Sequence, residues 1–342
     1  MTPEEWPSAA EAAERSAPAR RSGRGRLSTV RTDFFLSAAE RLTEQERALM
    51  TAMLHCLIGD VADELRAALP AGSAAANDET NAALINNLLA AELLDEPDLM
   101  LLLLRRADEE RIAGGAKARS GRRDARALQG LVSHDDGAVS AAAMALILAR
   151  GRRRDRFGQC LITIDDLHGE AAERVVHAVA AGLRRELPSG SSDAHVMLAD
   201  ASRDVIARLD PRRSMDFLTD ALVALLEDQQ ALGDELLLAA ANEGEAAFLA
   251  QAFARKAGIA DETALDELLS ADSRRIIALL RVAGASRELA AGLLAAIGDL
   301  LGIADPGDAI GLFDRMSEEQ VSAERAWLST APDYRTALEA LG

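Results

Sequence analysis

Aromatic side chains are scarce in this sequence of 342 residues. Phenylalanine, tryptophan and tyrosine together make up 3%, with a single tyrosine, although 49% of the residues are hydrophobic. Alanine and leucine must therefore fill the core, and both lose little side-chain freedom in a helix. The composition predicts an all-α protein of many slim helices that pack closely. It also argues against base stacking as a mode of nucleic-acid recognition.

Cysteines and long apolar runs are scarce as well. Cys56 and Cys160 lie far apart and form no CxxC pair, so neither a zinc site nor a disulfide framework is predicted. No window approaches the roughly 18 uncharged apolar residues of a membrane-spanning helix. The segment MTPEEWPSAAEAAE at 1–14 carries acids and lacks the apolar core of a secretory signal. We expect a cytoplasmic protein without a membrane span.

Basic charge is in deficit, with 38 Lys and Arg against 56 Asp and Glu and a net charge of −18. This balance argues against general affinity for nucleic acid or anionic lipid. The charge is unevenly placed, because residues 101–160 hold 13 basic and 7 acidic residues, a local balance of +6. A basic belt therefore lies within an acidic chain.

The chain reads as a series of short helices after an irregular start. Residues 1–33 are rich in Ala, Ser, Pro, Gly and Arg and predict a flexible tail. Thr43 and Glu46 form a capping box at the first helix, and further helices of about 10–18 residues alternate with polar breaks. We predict an irregular HEAT-like helical-repeat solenoid or a multi-helix bundle. Its two halves would be residues 34–190 and 191–342.

Three segments of the sequence resemble a known family. They are RLTEQERALMTAMLHCLIGDVADELRAAL (41–69), FGQCLITIDDLHGEAAERVVHAVAAGLRREL (157–187) and LLRVAGASRELAAGLL (279–294). Together they are similar to the alphaproteobacterial domain-of-unknown-function family numbered 2336. The resemblance implies an all-helical, HEAT-like fold over residues 34–341 and a bacterial cytoplasmic setting. It implies no catalytic residues, since the family supplies none to transfer.

The segment DDLHGEAAERVVH at 165–177 contains the side chains of a metal or acid–base site. On a helix that Asp166 caps from Leu167 onward, His168 and His177 point to opposite faces, at about 100° per residue. Only Glu173 and His177, four residues apart, could bind one metal ion together. They would form half a site, because a structural or catalytic zinc needs at least three protein ligands and the third would have to come from another helix. We therefore predict a surface helix that buries Ala172, Val176, Val179 and Leu183 and leaves His177 exposed.

Two other polar motifs have structural explanations. SHDD at 133–136 holds residue types of a hydrolase triad, but adjacent residues do not converge on one reacting atom, and an N-cap turn explains them. AGGAK at 113–117 lacks the spacing of a phosphate loop, and a helix end at Gly114 or Gly115 is predicted instead. No catalytic, metal or cofactor site follows from the sequence, so the protein is predicted to be non-enzymatic.

The run RGRRRDRFG at 150–158 is the strongest candidate for a binding site. Its arginines follow a helix C-terminus, where positive charge complements the helix dipole, but five in seven residues exceed what capping requires. They form a candidate patch for an anionic partner, or else pair with local acids. The patch consists of Arg150, Arg152, Arg153, Arg154 and Arg156.

Two functions fit these features. The first is a non-enzymatic interaction or scaffold protein, because stacked helical repeats create extended surfaces for another protein. The alternative is the binding of nucleic acid or another phosphorylated ligand through the arginine belt at 150–156, with steep salt dependence. An enzyme with a site assembled from distant helices is a third, weaker possibility.

Overall fold

The computed structural model describes residues 43–69, 78–120, 127–186 and 193–341, and the tail predicted at 1–33 lies outside these ranges. The described residues form sixteen α-helices and no strand, which confirms the all-α prediction. The helices are α1 (Glu44–Ala67), α2 (Asp78–Ala90), α3 (Pro97–Ser120), α4 (Ala127–Gly130), α5 (Gly137–Arg152), α6 (Gly169–Glu186), α7 (Ala194–Ala207), α8 (Met215–Asp228), α9 (Asp234–Glu243), α10 (Ala246–Ala257), α11 (Asp261–Leu268), α12 (Ser273–Val282), α13 (Arg287–Ile297), α14 (Pro306–Arg315), α15 (Glu318–Leu328) and α16 (Pro332–Leu341).

Local capping sets several of these helix starts. The capping box of Thr43 and Glu46 is formed, with the Glu46 amide donating to Thr43 Oγ1 at 3.2 Å. Ser317 and Gln320 form a second box at α15. Each cap satisfies amide groups that have no partner inside the helix. The helix end predicted at Gly114 or Gly115 is wrong, because α3 continues through both glycines to Ser120.

The chain divides into two compact units that interleave along the sequence. Among the described residues, the first unit comprises 108–147 and 219–341, and the second comprises 43–107 and 148–218. The consecutive halves 34–190 and 191–342 stay a prediction. Within the part of the chain that is described, no helix has the length and apolar character to cross a membrane.

In the second unit, α1 packs against α2, α6 and α7. Leu57, Ile58 and Val61 of α1 are buried, since residues three and four apart lie on the same face of a helix. The stripe predicted for α6 is confirmed, because its four members are buried: Ala172, Val176, Val179 and Leu183. His177 is exposed, as predicted.

In the first unit, short helices pack in pairs, such as α10 with α11 and α12 with α14. Phe248 and Phe253 of α10 are fully buried. Arg325 of α15 ties two helix ends together, donating to the carbonyls of Ala257 at 3.2 Å and Val282 at 2.7 Å. A positive guanidinium at two C-termini satisfies carbonyls that have no helical partner. The arrangement fits a solenoid or a bundle, and the HEAT-like repeat type stays a prediction.

A matched pair of glycines tests how closely α9 and α3 approach each other in the first unit. Gly244 ends α9 and Gly258 ends α10, with φ of +71° and +69°. A Cβ added at Gly244 would lie 2.8 Å from Ala113 Cα, whereas a Cβ added at Gly258 would have no neighbour within 4 Å. Gly258→Ala should cost about 1 kcal/mol of unfolding free energy for its left-handed backbone. Gly244→Ala should cost roughly 1–3 kcal/mol more, because backbone atoms must move apart. Urea unfolding of both variants measures the difference, and equal losses would contradict the close approach.

Candidate functional site

The predicted patch for an anionic partner lies at the end of α5 and in the turn that follows. Its five arginines have different environments: Arg152, Arg154 and Arg156 are exposed, Arg150 is half-buried, and Arg153 is buried. The five guanidinium groups therefore do not share one surface. One of them belongs to the interior of the second unit.

Arg153 is held by a buried carboxylate. Its Nε donates to Asp166 Oδ2 at 2.9 Å and its Nη2 to Oδ1 at 3.0 Å. The same Nη2 donates to Thr163 Oγ1 at 2.9 Å and to the Arg213 carbonyl at 2.8 Å. Only 8% of Arg153 and 3% of Asp166 are exposed. The pair thus joins the end of α5 to two segments that follow later in the chain.

Asp166 has further donors, which stabilise its charge. The amide and hydroxyl of Thr163 donate to Oδ2 at 2.9 and 3.1 Å, and the Met215 amide donates to Oδ1 at 2.9 Å. Burial alone would raise the pKa of Asp166, but the hydrogen bond from Arg153 and the charges of Arg106 and Arg153 hold that pKa below its usual value. Asp166 is therefore an ionised structural residue with its acceptor sites occupied.

A second ion pair lies beside the first. Asp216, the residue after Met215, accepts from Arg106 Nη2 at 2.8 Å and from Arg105 Nη2 at 3.3 Å. Burial would raise the pKa of Asp216, but the charges of Arg106 and Arg105 outweigh this effect and hold the pKa far below its usual value. The start of α8 is thus bound to α3 as well as to Asp166.

The sequence interpretation of DDLHGEAAERVVH was wrong in one respect. Asp166 does not cap a helix from Leu167, because it ends a 3-10 turn at Ile164–Asp166 and α6 begins at Gly169. Its role in an ion pair depends on Arg153, thirteen residues earlier. The only sequence signal for this role is a basic run followed by an acid in a segment without strong helix periodicity.

The turn after Arg153 is fixed by hydrogen bonds. Asp155 Oδ1 accepts from the amides of Phe157 and Gln159, both at 2.8 Å. Arg154 Nη1 donates to the Gly158 carbonyl at 2.9 Å, and the backbones of Arg154 and Cys160 form an antiparallel bridge. Arg154 therefore supports the turn, and CLITI at 160–164 follows as a mostly extended link.

The turn presents an arginine and a phenylalanine to solvent. The guanidinium carbon of Arg156 lies 4.7 Å from the centre of the Phe157 ring, a cation–π distance. Phe157 is 75% exposed, and Leu148, in the last turns of α5, is 53% exposed. Arg152 is also exposed and makes no ion pair with any residue that the structure describes. Arg156 and Phe157 of the turn, with Leu148 and Arg152 four residues apart at the end of α5, are together called the Arg–Phe surface below.

The other polar motifs do not form a reaction centre. His168 and Glu173 are exposed, as is His177. Asp136 of SHDD caps α5 by accepting from the Ala138 amide at 2.7 Å, as the N-cap interpretation requires. Within the described ranges, no three His, Cys, Asp or Glu side chains are grouped so that they could hold a metal ion.

Comparison with known proteins gives one match. The model of a family described as "Uncharacterised protein conserved in bacteria (DUF2336)" matches residues 116–326. This range begins within α3 and ends within α15, so it includes Asp166 and the Arg–Phe surface. No curated protein and no solved structure matches the chain significantly.

Neutralising Asp166 tests the buried pair. Asp166→Asn should lower the unfolding free energy at neutral pH by about 3–5 kcal/mol, because Arg153 keeps its buried charge without a counter-ion. The folded pKa of Asp166 lies below the unfolded one, so its stabilisation is complete above the usual carboxyl pKa and is lost as pH falls through the folded pKa. The difference between wild type and variant should therefore shrink in acid.

The control for this prediction is Glu173→Gln, which removes the same charge from an exposed position of α6. Its unfolding free energy should stay within about 0.5 kcal/mol of wild type. Chemical unfolding at several pH values measures all three proteins. A constant difference between wild type and Asp166→Asn at every pH would contradict the assignment.

Proposed function

The chain belongs to the DUF2336 family of bacterial proteins, and we propose that it is a non-enzymatic cytoplasmic interaction protein that binds another protein on its Arg–Phe surface. One observation carries this proposal: Phe157 is 75% exposed on a turn fixed by hydrogen bonds. Aromatic residues make up only 3% of the chain. An aromatic ring held in water is costly, and burial against a partner would recover that free energy.

The residue types on this surface support protein binding. Aromatic residues and arginine are enriched among the few side chains that carry most of the affinity in protein interfaces. Arg156 and Phe157 are adjacent and stacked, so a partner can contact both at once. Because Asp155 orders the turn, little conformational entropy would be lost on binding.

The environment of Asp166 supports a non-enzymatic role. A general base needs a free lone pair within reach of a substrate proton. Asp166 is buried and accepts from Arg153, Thr163 and Met215. Its carboxylate therefore has a structural role.

Truncation of Phe157 tests the proposal. Phe157→Ala should lose partner proteins that wild type retains from native lysate, because losing a central aromatic costs about 2 kcal/mol or more, roughly 30-fold in affinity. Val196→Ala is the matched control, since Val196 is 61% exposed on α7 of the same unit. Affinity purification with quantitative mass spectrometry compares the three proteins. If the Phe157 variant retains every partner at wild-type levels, the site is wrong.

The alternative is a nucleic acid or another phosphorylated ligand bound by the arginine belt, favoured by the exposure of Arg152 and Arg156. Two guanidinium groups would limit the slope of log affinity against log salt to roughly −1.8 for duplex DNA. Arg152→Ala with Arg156→Ala would abolish that slope, whereas Phe157→Ala would leave it intact. Titration of labelled DNA at several salt concentrations distinguishes this alternative from a protein partner.

A further inference from the structure

The Arg–Phe surface also has the chemistry to select its partner. Resting on the proposed function, we infer that it binds a short acidic segment of another protein, in which a carboxylate stands beside a large apolar side chain. The surface combines two exposed arginines with an exposed phenylalanine and leucine. Each half of this chemistry restricts the partner in a different way.

The arginines require negative charge in the partner. Neither Arg152 nor Arg156 makes an ion pair within the described residues, and the guanidinium carbon of Arg156 lies 4.7 Å from the centre of the Phe157 ring. Two buried arginines of the second unit differ from them in this respect, because Arg153 pairs with Asp166 and Arg106 pairs with Asp216. Carboxylates bind guanidinium groups in paired hydrogen bonds. A partner carboxylate would therefore pair with guanidinium groups that form no ion pair with any described residue.

The charge of the whole chain limits the length of that acidic segment. The net charge is −18, so a long polyanion that extends beyond the two arginines meets repulsion from the rest of the protein. Screening confines the attraction of an exposed charge to about 8 Å at physiological ionic strength. A short segment with one or two carboxylates gains the local attraction and avoids most of the repulsion. Charge therefore favours a protein segment over nucleic acid.

The exposed apolar side chains of the Arg–Phe surface require an apolar group in the partner as well as a charge. Phe157 is 75% exposed and Leu148 is 53% exposed, and an entirely polar ligand would leave both in water. A large apolar side chain next to the carboxylate can cover the Phe157 ring while the carboxylate reaches Arg156, since ring and guanidinium are 4.7 Å apart. This juxtaposition predicts adjacent acidic and apolar positions in the partner segment.

Selection from a phage-displayed library of random twelve-residue peptides on the full-length chain tests the inference. Enriched peptides should carry Asp or Glu within two positions of Trp, Phe or Leu, in excess over the unselected library. The synthetic forms should bind at least roughly tenfold more weakly to Phe157→Ala and to the double variant Arg152→Glu with Arg156→Glu. Val196→Ala should bind them as wild type does, and matching thermal midpoints would show that the variants are folded.

Several results would overturn the inference. One is that the enriched peptides carry no excess of acidic residues, and another is that they bind the charge-reversed variant as tightly as wild type. A third is that selection on wild type enriches no peptide more than selection on the charge-reversed variant does. A fourth is that a twenty-nucleotide single strand binds more tightly than any peptide. A concentration-dependent dimer abolished by Phe157→Ala would assign the surface to a second copy instead. If Phe157→Ala loses lysate partners while selected peptides lack acids, the proposed function stands and only this inference falls.

Discussion

The second unit depends on one buried ion pair, between Arg153 and Asp166. Two charges in the interior are tolerated only when their hydrogen-bonding groups are satisfied, and Asp166 accepts from Arg153, Thr163 and Met215. The contacts bring together the end of α5, the link before α6 and the start of α8. Asp216 extends the same network to α3 through Arg106. Four segments of the chain thus meet around two carboxylates.

The Arg153–Asp166 pair also explains why neighbouring arginines have different structural roles. Arg153 points into the unit and its charge is neutralised there, whereas Arg154 closes the turn on the Gly158 carbonyl. With the chain anchored at Arg153, the following residues form a short ordered turn that leaves Arg156 and Phe157 in solvent. The buried contact of Arg153 is therefore followed directly by the turn that carries the proposed binding surface.

The first unit meets a different constraint, which comes from its small side chains. A core with few aromatics needs helices that approach closely, because alanine fills little volume. The αL glycine that ends α9 lies where a Cβ would reach the backbone of α3. Close packing of short helices also brings many helix ends together, and Arg325 satisfies the carbonyls of two of them. The Arg325 guanidinium donates the hydrogen bonds that water would otherwise donate to these carbonyl groups.

Local sequence determined the all-α class and the caps at Thr43 and Ser317, because propensity, periodicity and capping act over a few residues. It also determined the buried stripe of α6. Tertiary structure alone decided that α3 continues through Gly114 and Gly115, that Asp166 pairs with Arg153, and which arginines remain exposed. The partners of Arg153 lie beyond the reach of local patterns, since Asp166 is thirteen positions away and the Arg213 carbonyl is sixty positions away. Which arginine of the run 150–156 is buried depends on these distant partners, and the run itself does not specify it.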